Sequence, residues 1–450
     1  MREHSGLLTD LYELTMAAGY LQTRFDARAT FELFVRNLPP ERNYLVAAGL
    51  EQAIDFLENV NFTGDEIDFL RRHPVFRNIR DDFFDYLRQF RFTGDVCAMP
   101  EGTLVFPGEP MLRVTAPIIE GQIMETYLLA TLSYQTMIAS KAARVVTAAD
   151  GRQVVEFGAR RGHGPIASLW GARAAAIGGC TGTSNALAGQ LYGINTYGTQ
   201  AHSWIMAHEN EADAFSHFLD AFPQGAVLLL DTYDVRNAVK TIIRMGRKPA
   251  GVRLDSGNLV KDSQWVRREL ERAGWGGVEI FASGDLDEFK ITKLLKAGAA
   301  IDAFGVGTAL ATPGDAPHLN LVYKLVEVER GGLVREAAKL SQAKVTYPGR
   351  KQVFRHPNSR GEFEADKIAL DGEPPNGSQP LLVEVMKQGR RTTPVEPVDA
   401  LRERTLACLR HLPKRFRQIE RSAEYPVRYS QQLKTMLDNV RTRIQRSALK

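Results

Sequence analysis

The chain has 450 residues, 44% of them apolar, which is enough for at least one large core and, at a common ~100–200 residues per domain, for two or three units. With 24% charged residues and no low-complexity tract it excludes a disordered architecture, and no apolar run approaches the ~20 residues of a bilayer-spanning helix. Cys97, Cys180 and Cys408 form no C-x-x-C pair, which excludes a disulfide framework and a structural zinc pattern and leaves buried thiols as the expectation.

The N-terminal MREHSGLLTD lacks the basic start and apolar stretch of a secretory signal, so a cytoplasmic location is expected. LLTDLYELTMAAGYL then predicts a helix near the N-terminus, with Thr9 or Asp10 as its cap. ATFELFVRNLP reads as a strand, YLVAAGLEQAIDFLENV as a helix, and residues 95–117 as strands punctuated by Gly and Pro. From Pro117 the segment IIEGQIMETYLLATLSYQTMIASKAARVV predicts one or two helices.

Between Val154 and Thr308 a pattern recurs in which a short apolar strand ends in polar or Gly residues and a helical stretch succeeds it. The strand ends are VVEFGARR, INTYGTQAH, VLLLDTYD, GVRLDSGN, EIFASGD and IDAFGVGT. Six such units in succession predict a parallel sheet, closed or partly closed into a barrel. Beyond LNLVYKLVEV the pattern changes to alternating strands, KVTYPGRKQVFR and GEFEADKIAL, with GEPPNGSQP as a loop. The divisions expected are an N-terminal α+β domain over 1–117, an α/β barrel over 118–328, strands over 329–395 returning to the N-terminal domain, and basic helices over 396–450. Residues 401–450 hold 13 Lys and Arg against 4 Asp and Glu. Their apolar residues recur at helical spacing, so a packed helix with a solvated basic face is expected in preference to a nucleic-acid contact.

In such a barrel the chemistry sits at the C-terminal ends of the strands. SGD (Ser283, Gly284, Asp285) and GVGT (with Gly305, Gly307 and Thr308) are short Gly-containing turns able to present backbone N–H groups to a phosphate, although Gly at a strand end also serves as a simple tight turn. Arg160 and Arg161 come just past a strand, where a guanidinium can grip phosphate or carboxylate, or form a surface ion pair. Arg253 and Asp255, two residues apart on one strand, share a face, so they can pair with each other or point into one pocket. His202 comes after Gly198 and a strand, and a neutral imidazole there can serve as base, nucleophile or phosphate acceptor, or simply pack. Asp231 and Asp234 end the next strand; either could orient His202, hold a sugar hydroxyl or a metal-bound water, or cap a helix. Walker-A, dinucleotide-fingerprint, H-E-x-x-H and G-x-S-x-G patterns are absent, no metal-ligand set is expected, and no strand end carries a Schiff-base lysine.

Taken in order, LLTDLYELTMAAGY, EFGARRGHG, GTSNALAG, GTQAHSW, GVRLDSGN, FASGD, GVGT and KLSQAKVTYPGRKQV resemble nicotinate phosphoribosyltransferases over about residues 5–355. The resemblance implies an irregular α/β barrel of the type II phosphoribosyltransferase kind, TIM-barrel-like, joined to an α+β N-terminal domain completed by C-terminal strands. It implies transfer of phosphoribose from phosphoribosyl pyrophosphate to nicotinate, coupled to ATP hydrolysis, in NAD salvage by a cytoplasmic homodimer with shared active sites. ATP enters as co-substrate, Mg²⁺ rides mainly on pyrophosphate groups, and neither nucleic acid nor membrane is a partner.

By the same resemblance His202 is the histidine phosphorylated by ATP. Tyr12, lent by a neighbouring subunit, and Phe157 sandwich the pyridine ring, while Thr199 and Arg253 contact nicotinate. Arg160 binds phosphate and Asp255 the ribose hydroxyls. The turns Ser283–Gly284–Asp285 and Gly305–Gly307–Thr308 take the 5′-phosphate. Asp231 is expected at the substrate from its strand-end position alone. Nicotinamide-using relatives carry an aspartate where this sequence has Ser184, so Ser184 favours the acid. Asn258 stands where the family often has Asp, and Gly162 where Ala is common. The rival expectations are a nicotinamide or quinolinate enzyme of the same fold and a non-catalytic nucleotide-binding relative; the latter would be marked by loss of His202, Arg253 or Asp255, all of which are present.

Overall fold

A computed structural model describes residues 2–341, 345–420 and 423–448, so Gln342, Ala343 and Lys344 of the KLSQAKVTYPGRKQV motif lie outside the described residues. The chain folds as two compact units: Met1–Thr136 with His318–Glu396 and Ala407–Lys450, and Met137–Pro317 with Pro397–Leu406. The divisions fall at 136 and 317, not 117 and 328. The segment after Pro117 forms two helices, Ile118–Ile123 and Glu125–Ala148, and the second runs unbroken and carries the chain from one unit into the other. On the far side, Leu321–Arg330 pairs along its length with Arg28–Val35 and so belongs to the first unit.

The first unit is built on a seven-stranded sheet in the order Leu333–Glu336, Leu321–Arg330, Arg28–Val35, Pro110–Pro117, Asp95–Ala98, Val383–Lys387, Arg390–Arg391. Late strands thus complete an early sheet from both sides. Arg28–Val35 sits centrally: Ala29, Phe31, Leu33 and Val35 form an apolar face that alternates with Arg28, Thr30 and Glu32, yet the strand is buried on both faces. Its one charged inner residue, Glu32, is fully buried and paired with Lys351 at 2.7 Å. The stretch KVTYPGRKQVFR is a strand only from Lys351 onward, and Lys351–Pro357 pairs antiparallel with Phe363–Leu370. The helix expected over YLVAAGLEQAIDFLENV is confined to Leu50–Asn59, because Leu45–Val46 pairs with Leu104–Val105. In the C-terminal segment Leu409, Leu433, Leu437 and Val440 are buried, whereas Lys434, Arg441 and Arg446 are exposed. Of the cysteines only Cys180 is buried; Cys97 and Cys408 are half-buried thiols in no disulfide, a correction to the expectation of three buried ones.

The second unit carries a parallel six-stranded sheet in the order Gly182–Thr183, Gln153–Glu156, Ala303–Val306, Glu279–Ala282, Gly251–Leu254, Val227–Leu229. In sequence terms the first strand pairs with the last, as it does around a barrel, while Gly182–Thr183 and Val227–Leu229 are left as the two edges. INTYGTQAH contributes no strand; it touches the sheet through one bridge, Thr183 to Thr196. Among the described residues no pairing joins Thr196 to Val227, so the ring is irregular and its hydrogen-bonded seam is open there. Around it pack helices whose apolar stripes build a core of Phe215, Leu228, Leu230, Val239, Ile242, Val252, Leu254, Val266, Leu270 and Ile280.

The polar residues at the strand ends divide into two sets. Five helices of this unit begin on an Asn or Asp whose side chain accepts from the backbone three residues on: Asn185, Asn210, Asp234, Asn258 and Asp287. Asp234 is therefore a cap, and so is Asn258, a role that Asn and Asp fill equally well. Asp231, Asp255 and Ser283, three or four residues earlier in each case, have different partners.

Candidate active site at the mouth of the barrel

Arg253 is the hub. It lies near the end of a parallel strand inside the sheet, and its side chain is only 14% exposed. Its Nε donates to Ser283 Oγ at 2.8 Å, Nη1 to Thr199 Oγ1 at 2.8 Å, and Nη2 to Asp255 Oδ1 at 2.7 Å. A guanidinium has five N–H groups. Three are committed, a fourth makes only a 3.5 Å contact to the Gln200 carbonyl, and the fifth has no protein acceptor among the described residues. The cation lies 5.9 Å from the centre of the Phe157 ring, so an aromatic surface and a partly unspent fork of donors occur side by side.

Asp255 accepts from Arg253 and from Ser283 Oγ at 2.5 Å, and its amide donates to Asp231 Oδ2 at 3.1 Å. Burial alone would raise its pKa. The hydrogen bonds from Ser283 and Arg253, with the positive charges of Arg253 and His202, outweigh burial and hold the carboxyl below its usual value. Asp231 also accepts from Ser256, while its Oδ1 is buried and has no partner. His202 is the first residue of the helix His202–Met206; Nδ1 lies 3.1 Å from Thr232 Oγ1 and Nε2 3.8 Å from Asp255 Oδ2. The imidazole is 42% exposed.

Two glycines make this arrangement possible. A Cβ on Gly305 would stand 2.6 Å from the Phe157 ring and 2.8 Å from that of Phe281, so the bare strand backbone is the seat of Phe157. Gly284 has φ +94°, and a Cβ there would meet the Asp255 carbonyl oxygen at 1.8 Å. The turn it makes leaves the amides of Gly284 and Asp285 without a protein acceptor among the described residues, as are those of Gly307 and Thr308. The helix after SGD is already capped by Asp287, whereas Thr308–Ala311 has no side-chain cap. Ser283 differs from its neighbours, since its hydroxyl is spent on Arg253 and Asp255.

Arg160 and Arg161 are exposed in the turn Ala159–Arg161, and neither is paired with a carboxylate among the described residues, so the surface ion pair is not formed. Ser184 is exposed at the end of Gly182–Thr183, its amide bonded to the Glu156 carbonyl. Tyr12 lies in the other unit, in the first turn of Leu11–Gln22, and is 47% exposed.

Reading the strand ends overlooked three residues that shape the mouth. Thr232 is the partner of His202 Nδ1. Glu156, buried with its pKa raised by burial against hydrogen bonds from Thr183 and Gly158, ties two strand ends together. Gln200 is buried with both amide atoms unpartnered. Glu156 was the one with a signal: a carboxylate inside the apolar run VVEFG has to be bonded internally.

Comparison with known proteins places this geometry. Residues 7–133, 152–364 and 375–437 match, respectively, the nicotinate phosphoribosyltransferase (NAPRTase) N-terminal domain, the NAPRTase family and the NAPRTase C-terminal domain. "Nicotinate phosphoribosyltransferase pncB2" of Mycobacterium tuberculosis is 45% identical over 442 residues, 96% of this chain and 93% of that protein. "Nicotinate phosphoribosyltransferase" of Bacillus subtilis is 43% identical over 83% of this chain and 78% of that protein. The crystal structure of human nicotinic acid phosphoribosyltransferase superposes with a TM-score of 0.82 at 28% identity, covering 96% of this chain and 99% of the human one. Near-complete coverage in both directions, at identities of this size, makes the chain a member of the nicotinate phosphoribosyltransferase family.

Proposed function

We propose that the protein joins nicotinate to the ribose of phosphoribosyl pyrophosphate, giving nicotinate mononucleotide and pyrophosphate in NAD salvage, with ATP hydrolysis coupled through a phosphohistidine at His202. The observation that carries the reading is the Arg253 cluster. Its fork is fixed in place by Thr199, Ser283 and Asp255 and still has N–H groups to offer a carboxylate beside the Phe157 ring. A neutral carboxamide would gain less from that cation. Ser184 fits the same reading, since no carboxylate stands there to repel nicotinate or to accept from an amide.

In the reaction the pyridine nitrogen attacks C1 of the ribose as the C1–O bond to pyrophosphate breaks, through an oxocarbenium-like transition state. Positioning and charge stabilisation do most of the work. Phe157 supplies one face for the ring, and Tyr12 of a second subunit the other, in a homodimer. Asp255, kept ionised by Arg253 and Ser283, holds the ribose hydroxyls close to the developing positive charge at C1. The free amides of the SGD and GVGT turns take the 5′-phosphate, with Arg160 a further phosphate contact. Magnesium carried on pyrophosphate oxygens would neutralise charge there. Asp231 Oδ1, buried and unpartnered, is the oxygen fitted to meet that ion or a water on it.

With Nδ1–H donating to Thr232, His202 keeps its Nε2 lone pair for the γ-phosphorus of ATP, and ADP leaves. Water later cleaves the P–N bond and restores the imidazole. The negative charge gained and lost beside Asp255 is the switch that alters substrate binding. Incubation with ATP labelled at the γ-phosphate tests this. Wild type should carry acid-labile label and His202→Ala none, with the variant losing ATP stimulation but keeping some transfer. Equal labelling of the two sinks the assignment, and preferred turnover of nicotinamide or quinolinate over nicotinate sinks the substrate.

A further inference from the structure

The helix that carries Tyr12 is fastened within its own unit by an unusual set of acids. Glu13, the third residue of that helix, is fully buried. Its carboxylate accepts from Thr9 Oγ1, from the Thr126 amide at 3.1 Å and from Thr126 Oγ1 at 2.6 Å. Asp10 joins from the preceding position: its amide donates to Thr126 Oγ1 at 3.2 Å, and its carboxylate lies within reach of the same hydroxyl. Thr9 Oγ1 also lies 3.0 Å from the Ile123 carbonyl. The first turn of Leu11–Gln22 is therefore bound to the start of Glu125–Ala148. Just ahead of that helix, Gln122 Nε2 donates to the Glu125 carboxylate at 3.0 Å. Burial first, then the charges of Glu125, Glu13 and Asp10, push the Tyr12 phenol pKa up.

Three carboxylates thus crowd one tyrosine. The charged and titratable groups facing Glu13 are Asp10 and Tyr12 on its own segment, Glu125 from the long helix, and Tyr323 from the strand Leu321–Arg330, whose hydroxyl is turned away to the Gly121 carbonyl. Lys324 acts on Glu125 and is the only cation among these groups. Such a cluster orients the phenol but stores like-charge repulsion.

We propose that Glu13 is a positioning residue for Tyr12, and that the burial of its carboxylate where the first turn of this helix is fastened makes the seating of this tyrosine, and with it the KM for the pyridine base, depend on pH around neutrality. The proposal rests on the reading of Tyr12 as a face of the base site. Burial, chiefly, lifts the Glu13 pKa to about 7, with Glu125 and Asp10 adding to it against the hydrogen bonds from Thr126 and Thr9. Glu125 is raised by burial as well, against Lys324, Gln122 and Tyr12. Linkage sets the sign. A carboxyl whose pKa is higher when seated than when released favours the seated form while it holds its proton, and that preference is lost as pH rises through the seated value. Loosening is therefore expected on the alkaline side.

Between a released value of 4.5 and a seated value of about 7, the opening equilibrium of this turn rises about tenfold from pH 6 to pH 9. Amide exchange of residues 10–16, corrected for intrinsic rates, reads it directly in the full chain. Wild type should lose about tenfold of protection over that interval, and Glu13→Gln, which keeps an acceptor but no titrating proton at that position, should lose clearly less. The KM for nicotinate should rise over the same interval in wild type with kcat unchanged, and should rise less in Glu13→Gln. Equal pH dependence of exchange in the two proteins overturns the proposal. So does a pH-dependent exchange that leaves KM untouched, because Glu13 would then not be positioning Tyr12 for substrate. Tyr12→Ala separates the remaining failure: an unchanged KM in that variant refutes the base-stacking role itself, whatever Glu13 does.

Discussion

Replacing Arg253 by Lys asks whether a fork, and not merely a positive charge, is what the site requires. Lysine can keep the ion pair with Asp255 but cannot at the same time reach Ser283 and Thr199, so two of the three bonds of 2.7–2.8 Å are lost. Hydrogen bonds to a charged group contribute about 1.5–3 kcal/mol each, and the released hydroxyls recover part of this by rotating, so a stability loss of roughly 2–4 kcal/mol is expected. Toward substrate, a point charge replaces the remaining N–H groups. Losing about 1.5–3 kcal/mol of carboxylate recognition lowers kcat/KM for nicotinate roughly 10- to 150-fold. The assay is initial-rate kinetics at saturating phosphoribosyl pyrophosphate and ATP, with thermal unfolding on the same sample to show that the fold survives. Because the deficit is specific to the acid, any turnover of nicotinamide should change much less. A folded Arg253→Lys enzyme within about twofold of wild type on nicotinate would refute the carboxylate assignment.

Gly284→Ala should lower both Tm and kcat. The left-handed backbone alone costs about 1–2 kcal/mol for a side chain, and the new Cβ drives into the Asp255 carbonyl; a variant with wild-type Tm and kcat would show that this turn is not as drawn. Asp255→Asn should remove a stabilising charge whose effect is present above the ordinary carboxyl value of 3.8 and lost as pH falls through the lower folded value. The stability gap between wild type and Asp255→Asn in urea unfolding should therefore be constant near neutrality and narrow below about pH 4. A gap that widens on acidification contradicts the hydrogen-bonded, ionised Asp255.

Much of the barrel was legible because its strands are short, apolar and buried on both faces, so that each stood out between polar turns. The exception, INTYGTQAH, was read as a strand on the same kind of pattern but has only one residue bridged to the sheet, and periodicity cannot tell a loop from a strand of that length. At the strand ends the sequence offered too many polar residues of the same kind. Asp231 and Asp234 look alike in DTYD, as do Asp255 and Asn258 in LDSGN. Only the backbone direction decides that the first of each pair turns to Arg253 or its neighbours while the second caps a helix. Thr232 and Gln200 were hidden for a different reason, since a partner on a sequence-distant strand end and a buried amide in a loop carry no local pattern, whereas Glu156 inside an apolar run did. The tie behind Tyr12 was invisible because Glu13 and Thr126 meet only once two helices pack.

The open seam of the barrel gives His202 a freedom that its neighbours lack. Arg253 and Ser283 are locked into or against a continuous parallel ladder, and shifting either means breaking rungs shared with the adjacent strand. The segment from Tyr197 to Ala226 joins no ladder between the Thr196 bridge and Val227; it is held by core packing of Ile205 and Phe215, with the histidine inside it. Displacing the imidazole therefore disturbs the Thr232 contact and the approach to Asp255 without severing a ladder rung. On the proposed reading, the residue that takes and loses a phosphate thus stands on a part of the ring wall held by packing, while Arg253 on the substrate-gripping side is held by ladder hydrogen bonds.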